Sequence, residues 1–264
     1  MPELPDVEVF RRYLEATALG KQIEHVHIDA ERILEGDTPQ SFGRKLADRQ
    51  MDRTERHGKY LFAHLDDGRW LSFHFGMTGH LDYYKDLADE PDYTYARFDF
   101  ANGYHLGYVI PRKLGNLRHL ESVESFIEQK ELGPDPFKDD FGEEDFLDLL
   151  EGRRGMVKTS FMNQSIMAGI GNVYSDEILF QQRLHPRTKI KALSSQELRQ
   201  LFGTLCEVLG TAIQAEADPQ RFPDDWLIPV RSEGEPCPRC GGEVERIVIS
   251  GRGGYFCPSC QKKN

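Results

Sequence analysis

The sequence predicts an α+β protein with a strand-rich N-terminal part, a helical part after it and a short cysteine-rich end. Three observations support this prediction. Short runs of β-branched and aromatic residues occur throughout residues 1–120. Apolar residues recur at helical spacing between residues 156 and 217. Two pairs of cysteines lie within residues 235–264, where glycine is also frequent.

The N-terminal part is predicted to begin with a helix and to continue as strands. Apolar residues three or four positions apart predict a helix over residues 6–18, namely Val7, Phe10, Leu14 and Ala18. Strands are predicted over residues 23–28, 60–65, 70–75, 96–100 and 104–109. Residues 66–68 and 101–103 predict hairpin turns, because Asp-Gly and Asn-Gly tolerate positive φ. Such strands are typical of a β-sandwich or a β-barrel.

The second half of the chain is predicted to be helical. Glycine and two prolines in residues 133–138 predict a linker, which an acidic helix over residues 141–151 follows. Further helices are predicted over residues 160–167, 172–182 and 195–217. Asn172 is expected to cap the second of these, and Ser194 or Ser195 the third.

The net charge is acidic but unevenly distributed. Among 264 residues, 33 Lys and Arg stand against 44 Asp and Glu, a net charge of −11. Residues 121–151 carry 12 acids and two lysines, whereas residues 152–191 carry seven basic residues and two acids. The acidic total therefore does not exclude a nucleic-acid partner, although such runs are also typical of solvated helix faces. No run is apolar enough for a membrane helix or signal peptide, so we expect a cytoplasmic protein without a membrane partner.

Four cysteines form two C-x2-C pairs, Cys237 with Cys240 and Cys257 with Cys260, separated by 16 residues. Two such turns can direct four thiolates at one Zn²⁺ ion, whereas disulfides are rare in a cytoplasmic chain. We therefore expect one structural zinc. Arg252 lies at the glycine-rich tip between the pairs, where it is either solvated or available to bind phosphate.

The N-terminus carries a candidate nucleophile. Met1 precedes a small residue and is expected to be removed, which would leave Pro2 with a free secondary amine. An α-amine has a pKa near 8, so part of it is neutral and nucleophilic at neutral pH. Glu3 beside it can transfer a proton. Many proteins nevertheless begin with Met-Pro without catalytic meaning.

Three motifs occur together and in order: Pro-Glu-Leu-Pro-Asp-Val-Glu at residues 2–8, Gly-Ile-Gly-Asn-Val-Tyr-Ser-Asp-Glu at residues 169–177, and the four-cysteine ribbon. Together they resemble the formamidopyrimidine-DNA glycosylase and endonuclease VIII family of base-excision repair enzymes. The resemblance implies an N-terminal antiparallel β-sandwich with a flanking helix, then a helix–two-turn–helix domain that ends in a β-hairpin zinc finger. The expected divisions are a catalytic domain over residues 1–132, a linker and acidic helix over 133–150, the helical domain over 151–231 and the zinc finger over 232–264.

The same resemblance implies the chemistry. Pro2 would attack C1′ of the damaged nucleoside, Glu3 would assist proton transfer, and the Schiff base would permit β- and δ-elimination. Lys59 matches a lysine that contacts phosphate near the lesion, although a lysine on a strand is more often solvated. The expected partner is double-stranded DNA with a damaged base or an abasic site, bound by a monomer of bacterial type in the nucleoid.

Further residues match DNA contacts of the family. Met77 and Arg112 match side chains that fill the gap left by the flipped base, and Leu114 stands where an aromatic wedge is usual. The residues that match contacts to the DNA backbone are Lys158, Asn172 and Arg252. Without the resemblance, a methionine such as Met77 is more often a core residue.

Several departures leave the preferred lesion open. Ile110 replaces an aspartate, Asp6 replaces a glutamate, and the segment over residues 218–231 is short for a lesion-capping loop. We expect oxidised purines and formamidopyrimidines as substrates, with an endonuclease VIII-like preference for oxidised pyrimidines or hydantoins as the alternative. A catalytically silent DNA-binding protein and a proline-dependent tautomerase are alternatives from other classes, but a tautomerase does not explain the ribbon.

Overall fold

A computed structural model describes residues 1–262, which form two compact units. The first unit contains Met1–Pro2 and Asp6–Lys130, and the second contains Glu3–Pro5 together with the described residues from Glu131 onward. Residues 263–264, the end of the predicted zinc finger, lie outside the described residues. Within residues 1–262, no helix is both long and apolar enough to cross a membrane.

The first unit is built from two four-stranded antiparallel sheets. Its strands are β1 (Ile23–Ile28), β2 (Met51–His57), β3 (Tyr60–Leu65), β4 (Trp70–His74), β5 (His80–Tyr84), β6 (Thr94–Phe100), β7 (His105–Val109) and β8 (Asn116–Leu120). The strand orders are β1-β6-β7-β5 and β2-β3-β4-β8. Three helices accompany them, α1 (Leu4–Thr17), α2 (Pro39–Leu46) and α3 (Val123–Gln129). The predicted β-sandwich with a flanking helix is confirmed.

Residue types explain which strands the sequence revealed. β1 and β3 have the predicted bounds, and both hairpin turns lie where Asp-Gly and Asn-Gly predicted them. β2, β5 and β8 were missed because they contain several charged or polar residues and no continuous run of β-branched and aromatic ones. The buried rings of Phe73, Phe98 and Tyr108 pack together in the core of this unit.

The second unit is helical and ends in a hairpin. Its elements are α4 (Glu143–Leu150), α5 (Val157–Phe161), α6 (Asn172–Gln181), α7 (Ser195–Gln214), β9 (Glu245–Ile249) and β10 (Arg252–Phe256). Buried side chains from all four of these helices, among them Phe146, Phe161 and Leu205, form its core with Leu4. Ser194 caps α7 as predicted, because its hydroxyl accepts the N–H of Glu197 while the Glu197 carboxylate accepts the N–H of Ser194.

Two predictions in this unit are wrong. The helix predicted over residues 160–167 is α5, which ends at Phe161, because Gln164 instead holds a turn. The Gln164 side chain donates to the carbonyl of Ile170 (2.8 Å) and accepts the N–H of Gly169 (3.0 Å). Asn172 is not the cap of α6 but its first residue, and Gly171 is the cap. The acidic helix also begins late, at Glu143, since Asp145 accepts the N–H of Gly142 (2.7 Å).

Candidate functional site

Glu3 is buried at the start of α6, only 1% exposed. Its carboxylate accepts the backbone N–H groups of Gly171 (2.6 Å), Val173 (2.9 Å) and Tyr174 (3.2 Å). The N–H groups of a helix start have no partner within the helix and favour negative charge beside them. Glu3 therefore supplies the anion that this helix start requires, and its oxygens are fixed within the second unit.

Pro2 precedes this fixed carboxylate directly in the chain and is half-buried. Leu4, after it, is fully buried and donates its N–H to the carbonyl of Gly169 (3.0 Å). The backbone that follows Pro2 is therefore held at Glu3 and Leu4 by the loop and helix over residues 169–174. Of the sequence-predicted groups, Glu3 and the Gly-Ile-Gly-Asn motif are brought into direct contact.

Lys59 lies in the turn between β2 and β3 and is 8% exposed. Arg56 stabilises the turn. Its guanidinium donates to the carbonyl of Gly58 (3.2 Å) and to the carboxylate of Glu8 on α1 (3.3 Å). The position of Lys59 therefore depends on a buried ion pair between α1 and β2. Lys59 is therefore not a solvated surface lysine.

The predicted gap-filling residues lie on two adjacent loops of the first unit. A Cβ atom on Gly76, where φ is +58°, would lie 2.6 Å from the backbone carbon of Leu114, so only glycine permits this approach. The Arg112 guanidinium lies 3.5 Å from the sulfur of Met77. Met77 is 40% exposed and Leu114 is 56% exposed. Two apolar tips and one arginine thus project together into solvent.

Buried residues pack beneath the two loops that carry Met77 and Leu114. Ile110, which stands where aspartate was expected, is 1% exposed and belongs to the apolar core. Burial, together with the charges of Lys59 and Lys130, lowers the pKa of His74 to about 4. The ring is therefore neutral at pH 7, and its Nδ1 is placed to accept the N–H of Gly76 (3.3 Å).

Lys158 does not fit the phosphate contact predicted for it. Its side chain is 0% exposed, and its ammonium donates to Asp176 (2.6 Å), the hydroxyl of Ser175 (2.9 Å) and the carbonyl of Asn172 (3.2 Å). Burial lowers the pKa of Lys158, while the neighbouring Asp176 charge acts in the opposite direction. A lysine with all three donors used inside the protein is a structural cation.

Asn172 and Arg252 lie on neighbouring parts of the second unit. The amide of Asn172 donates to the carbonyl of Gly253 on β10 (2.7 Å), so it joins α6 to the hairpin. Arg252 is exposed at the start of β10. An open pocket of about 380 Å³ separates it from the turn after α5 and is lined by Thr159, Met162, Asn163, Gln164, Ser250 and Arg252. The polar lining and the arginine suit an anionic group.

The four predicted cysteines form one cluster. Their sulfur atoms all lie within 4.8 Å of one another. Sulfurs at the corners of a tetrahedron with Zn–S bonds of about 2.3 Å would be separated by about 3.8 Å. The Cys237–Cys260 and Cys240–Cys257 separations are 3.8 and 3.5 Å. The four thiolates fit one structural Zn²⁺ ion, which would fix the ends of a hairpin whose small apolar cluster is shared with Phe180 and Leu227.

Two acidic residues that the sequence analysis did not single out, Asp176 and Glu177, are buried on α6. Asp176 pairs with Lys158 and Arg231. Glu177 accepts from Gln181 (2.7 Å) and from the N–H of Ile228 (2.8 Å), and burial raises its pKa to about 7. The signal available in the sequence was the occurrence of adjacent acids within an otherwise apolar helix.

Three family models match successive parts of the chain. The formamidopyrimidine-DNA glycosylase N-terminal domain matches residues 1–117, and the H2TH domain of the same enzyme matches residues 132–224. A zinc finger found in FPG and IleRS matches residues 234–263. Formamidopyrimidine-DNA glycosylases from Exiguobacterium sibiricum and Laribacter hongkongensis are each 34% identical to this chain. Both alignments cover 99% of this chain, and they cover 99% of the first relative and 100% of the second.

Solved structures of the Lactococcus lactis enzyme share the fold over 99% of this chain and 100% of theirs. The complex with abasic-site DNA has a TM-score of 0.87 at 28% identity, and that with Fapy-dG DNA has 0.88 at 28%. The complex with oxidised-pyrimidine DNA has a TM-score of 0.89 at 29% identity.

Proposed function

The chain belongs to the formamidopyrimidine-DNA glycosylase family, and from this premise we propose which of its residues perform the reaction. It is a DNA glycosylase of base-excision repair with the abasic-site lyase activity of that family. Its partner is DNA that contains a damaged base or an abasic site, and its cofactor is one structural zinc ion. The roles of individual residues, the preferred lesion and the oligomeric state are the proposal.

The observation that carries the proposal is the position of Glu3. A carboxylate buried against three N–H groups keeps its orientation without reorganisation. The residue before it, Pro2, becomes a secondary amine once Met1 is removed. Nucleophile and proton carrier are therefore consecutive residues, and the carboxylate of the second of them is fixed.

The reaction begins when the Pro2 nitrogen attacks C1′ of the flipped nucleoside, as the C1′–N bond to the base breaks and the base leaves with a proton. Glu3 carries the proton that opens the sugar ring at O4′, which gives the iminium between Pro2 and C1′. Loss of a proton from C2′ then breaks the C3′–O bond, and a second elimination breaks the C5′–O bond. Both phosphates remain on the DNA ends.

The DNA-binding roles follow the exposure of the residues. Met77, Leu114 and Arg112 fill the space of the flipped nucleotide, which is what exposed apolar tips do in a base stack. Arg252 and the half-buried Asn172 contact phosphates around it. Lys59 is only 8% exposed, and its phosphate contact is assigned from the family resemblance rather than from exposure. Lys158 supports this surface from inside rather than contacting DNA. The zinc ion keeps the hairpin that carries Arg252 folded.

Borohydride trapping on abasic-site DNA tests the proposal. The wild type, with Met1 removal verified by intact mass, should form a covalent adduct through Pro2. Pro2→Gly should weaken trapping by about 10²-fold or more, because the secondary amine is lost. Glu3→Gln should abolish base excision but retain part of the lyase activity. If the wild type gives no adduct, the chain is a silent DNA-binding protein and the proposal is wrong.

The preferred lesions are formamidopyrimidines and related oxidised purines. A preference for oxidised pyrimidines or hydantoins is the second candidate, favoured by the exposed Leu114, which lacks the ring that would stack on the opposite base. Oligonucleotides with each lesion opposite each of the four bases distinguish them. A kcat/KM that is higher for thymine glycol or hydantoins than for formamidopyrimidines would establish the second candidate.

The proposed active form is a monomer, as the family resemblance implies. Light scattering with and without DNA should give one copy per duplex. The bacterial relatives support a location in the cytoplasm with the nucleoid, which a fluorescent fusion imaged together with a DNA stain tests directly.

A further inference from the structure

We propose that Asp176 is a positioning residue for DNA binding, which anchors the zinc hairpin to α6 and thereby presents Arg252 to the DNA backbone. The inference rests on the proposed function, because it concerns how that site is held together. Asp176 touches no substrate atom in this scheme. It acts on Arg252 through the backbone of β10.

Asp176 is the meeting point of three chain segments. One carboxylate oxygen accepts the Lys158 ammonium of α5 (2.6 Å). The other accepts the N–H of Tyr255 on β10 (3.1 Å) and two guanidinium N–H groups of Arg231 (2.9 and 2.7 Å). The side chain is 1% exposed, so no water competes for these contacts. One carboxylate thus joins α5, α6, β10 and the segment before the hairpin.

The approach of the hairpin to this carboxylate is close. A Cβ atom on Gly254 would lie 2.9 Å from the Asp176 carboxylate and 3.1 Å from the side chain of Lys158. The Arg231 guanidinium also lies over the Tyr255 ring, 4.8 Å from its centre. β10 is therefore fixed at residues 254 and 255, two and three positions after Arg252. Over so short a stretch of strand, the direction of the arginine follows from the anchor.

The charges explain why a neutral side chain cannot replace this carboxylate. Lys158 and Arg231 are two cations at a buried site, and Asp176 is the anion between them. Removing the anion leaves both cations without compensation, which is costlier than removing a whole buried pair. The Lys158 ammonium also donates to Asn172 and Ser175 in the first turn of α6.

The test is a double-mutant cycle between Asp176→Asn and Arg252→Ala in zinc-loaded protein. DNA affinity is measured by anisotropy on a duplex with an abasic-site analogue over a range of salt concentrations. Each single variant should bind about tenfold or more weakly, and each should reduce the salt dependence by about one phosphate contact. The double variant should bind no more weakly than Arg252→Ala alone, because Asp176 acts through Arg252. Single-turnover cleavage at saturating DNA should fall by less than about threefold in Asp176→Asn.

Two further variants keep the inference testable if Asp176→Asn folds poorly or loses zinc. Arg231→Ala removes two of the contacts to the same oxygen and should show the same non-additivity with Arg252→Ala at smaller size. Glu245→Gln removes an exposed acid from β9 and should bind DNA like the wild type. The inference would be wrong if the loss of DNA affinity in a double variant equalled the product of the losses in its two single variants. It would also be wrong if the zinc-loaded single variants bound DNA as tightly as the wild type. Absence of trapping by the wild type would instead overturn the proposed function.

Discussion

The two units present their proposed DNA contacts in opposite ways. In the first unit the gap-filling contacts are exposed side chains, such as Met77 and Leu114, on loops that rest on apolar residues such as Ile110. Lys59, beside the buried Arg56, is the exception in that unit. In the second unit the exposed Arg252 and the helix start at Asn172 rest on ionisable side chains that are almost wholly buried. These are Glu3, Lys158, Asp176 and Glu177.

Because of this difference, substitutions at the exposed tips of the first unit should affect DNA binding without affecting stability. Substitutions at the buried ion pairs of the second unit should affect both. A tip that touches only solvent contributes little to folding, so its replacement should change DNA binding alone. A buried ion pair loses its balance when one partner is removed, so replacement there should change both properties. The two units should therefore respond differently to changes in metal, side-chain size and pH.

Removal of zinc should have the largest effect and should act on the second unit. The hairpin has few buried apolar side chains besides two of its cysteines, so it cannot keep Arg252 in place without the metal. Affinity for abasic-site DNA should fall by about 10²-fold or more after chelation and return when zinc is added. Full affinity after verified removal of the metal would contradict this.

The two tryptophans allow the effect to be located. Trp70 lies on β4 in the first unit and Trp226 lies in the core of the second. In a Trp70→Phe variant the fluorescence of Trp226 should change on chelation, whereas in Trp226→Phe the signal of Trp70 should not. Equal changes in both variants would remove the contrast between the units.

Substitution of the exposed tips should have the next largest effect. Met77→Ala with Leu114→Ala should lower kcat/KM for a base lesion about tenfold or more, because the space of the flipped nucleotide stays empty. The free energy of unfolding should change by less than about 0.5 kcal/mol per residue. Chemical denaturation and single-turnover kinetics measure the two quantities.

Ile110→Ala is the matched control on the same loop. It removes a fully buried side chain and should cost about 2–4 kcal/mol of stability through the cavity it leaves. Its effect on kcat/KM should follow the folded fraction only. A large loss of stability in the double tip variant would show that the tips also hold the loops.

The first unit was predicted where residue type alone marks an element. Runs of β-branched and aromatic residues predicted β1 and β3 with their bounds, and Asp-Gly and Asn-Gly predicted the turns, whereas α2, α3 and the more polar strands were not predicted. The four cysteines were equally clear, since their spacing alone brings the sulfurs together. Residue type and spacing are sufficient to predict an element when its structure depends on neighbours in the sequence.

The second unit shows where local rules stop. Lys158 was matched to a phosphate contact through the family resemblance, but it is buried because Asp176 and Ser175 reach it from another helix. An asparagine before a helix was assigned as its cap, but the amide of Asn172 is used by β10, 81 residues later. Such partners depend on tertiary packing, which spacing along the chain does not encode.

The smallest expected effect is on the pH dependence of stability, with opposite signs in the two units. Burial raises the pKa of Glu177 from 4.5 to about 7, so the unfolded chain releases this proton first. This residue therefore favours folding most below pH 4.5 and loses that contribution as pH rises toward 7. The pKa of His74 is lowered from 6.5 to about 4, so the unfolded chain takes up this proton first. His74 therefore favours folding above pH 6.5 and loses that contribution as pH falls toward 4.

Chemical denaturation at pH 5 and pH 7 separates the two contributions. Relative to the wild type, Glu177→Gln should gain stability on going from pH 5 to pH 7, by on the order of 1 kcal/mol. His74→Gln should show the opposite change, gaining on going from pH 7 to pH 5. Because each variant is compared with itself at two pH values, a constant cost of the substitution cancels. If the stability of both variants and of the wild type changed equally with pH, neither group would titrate differently on folding. The predicted difference in sign between the two units would then be wrong.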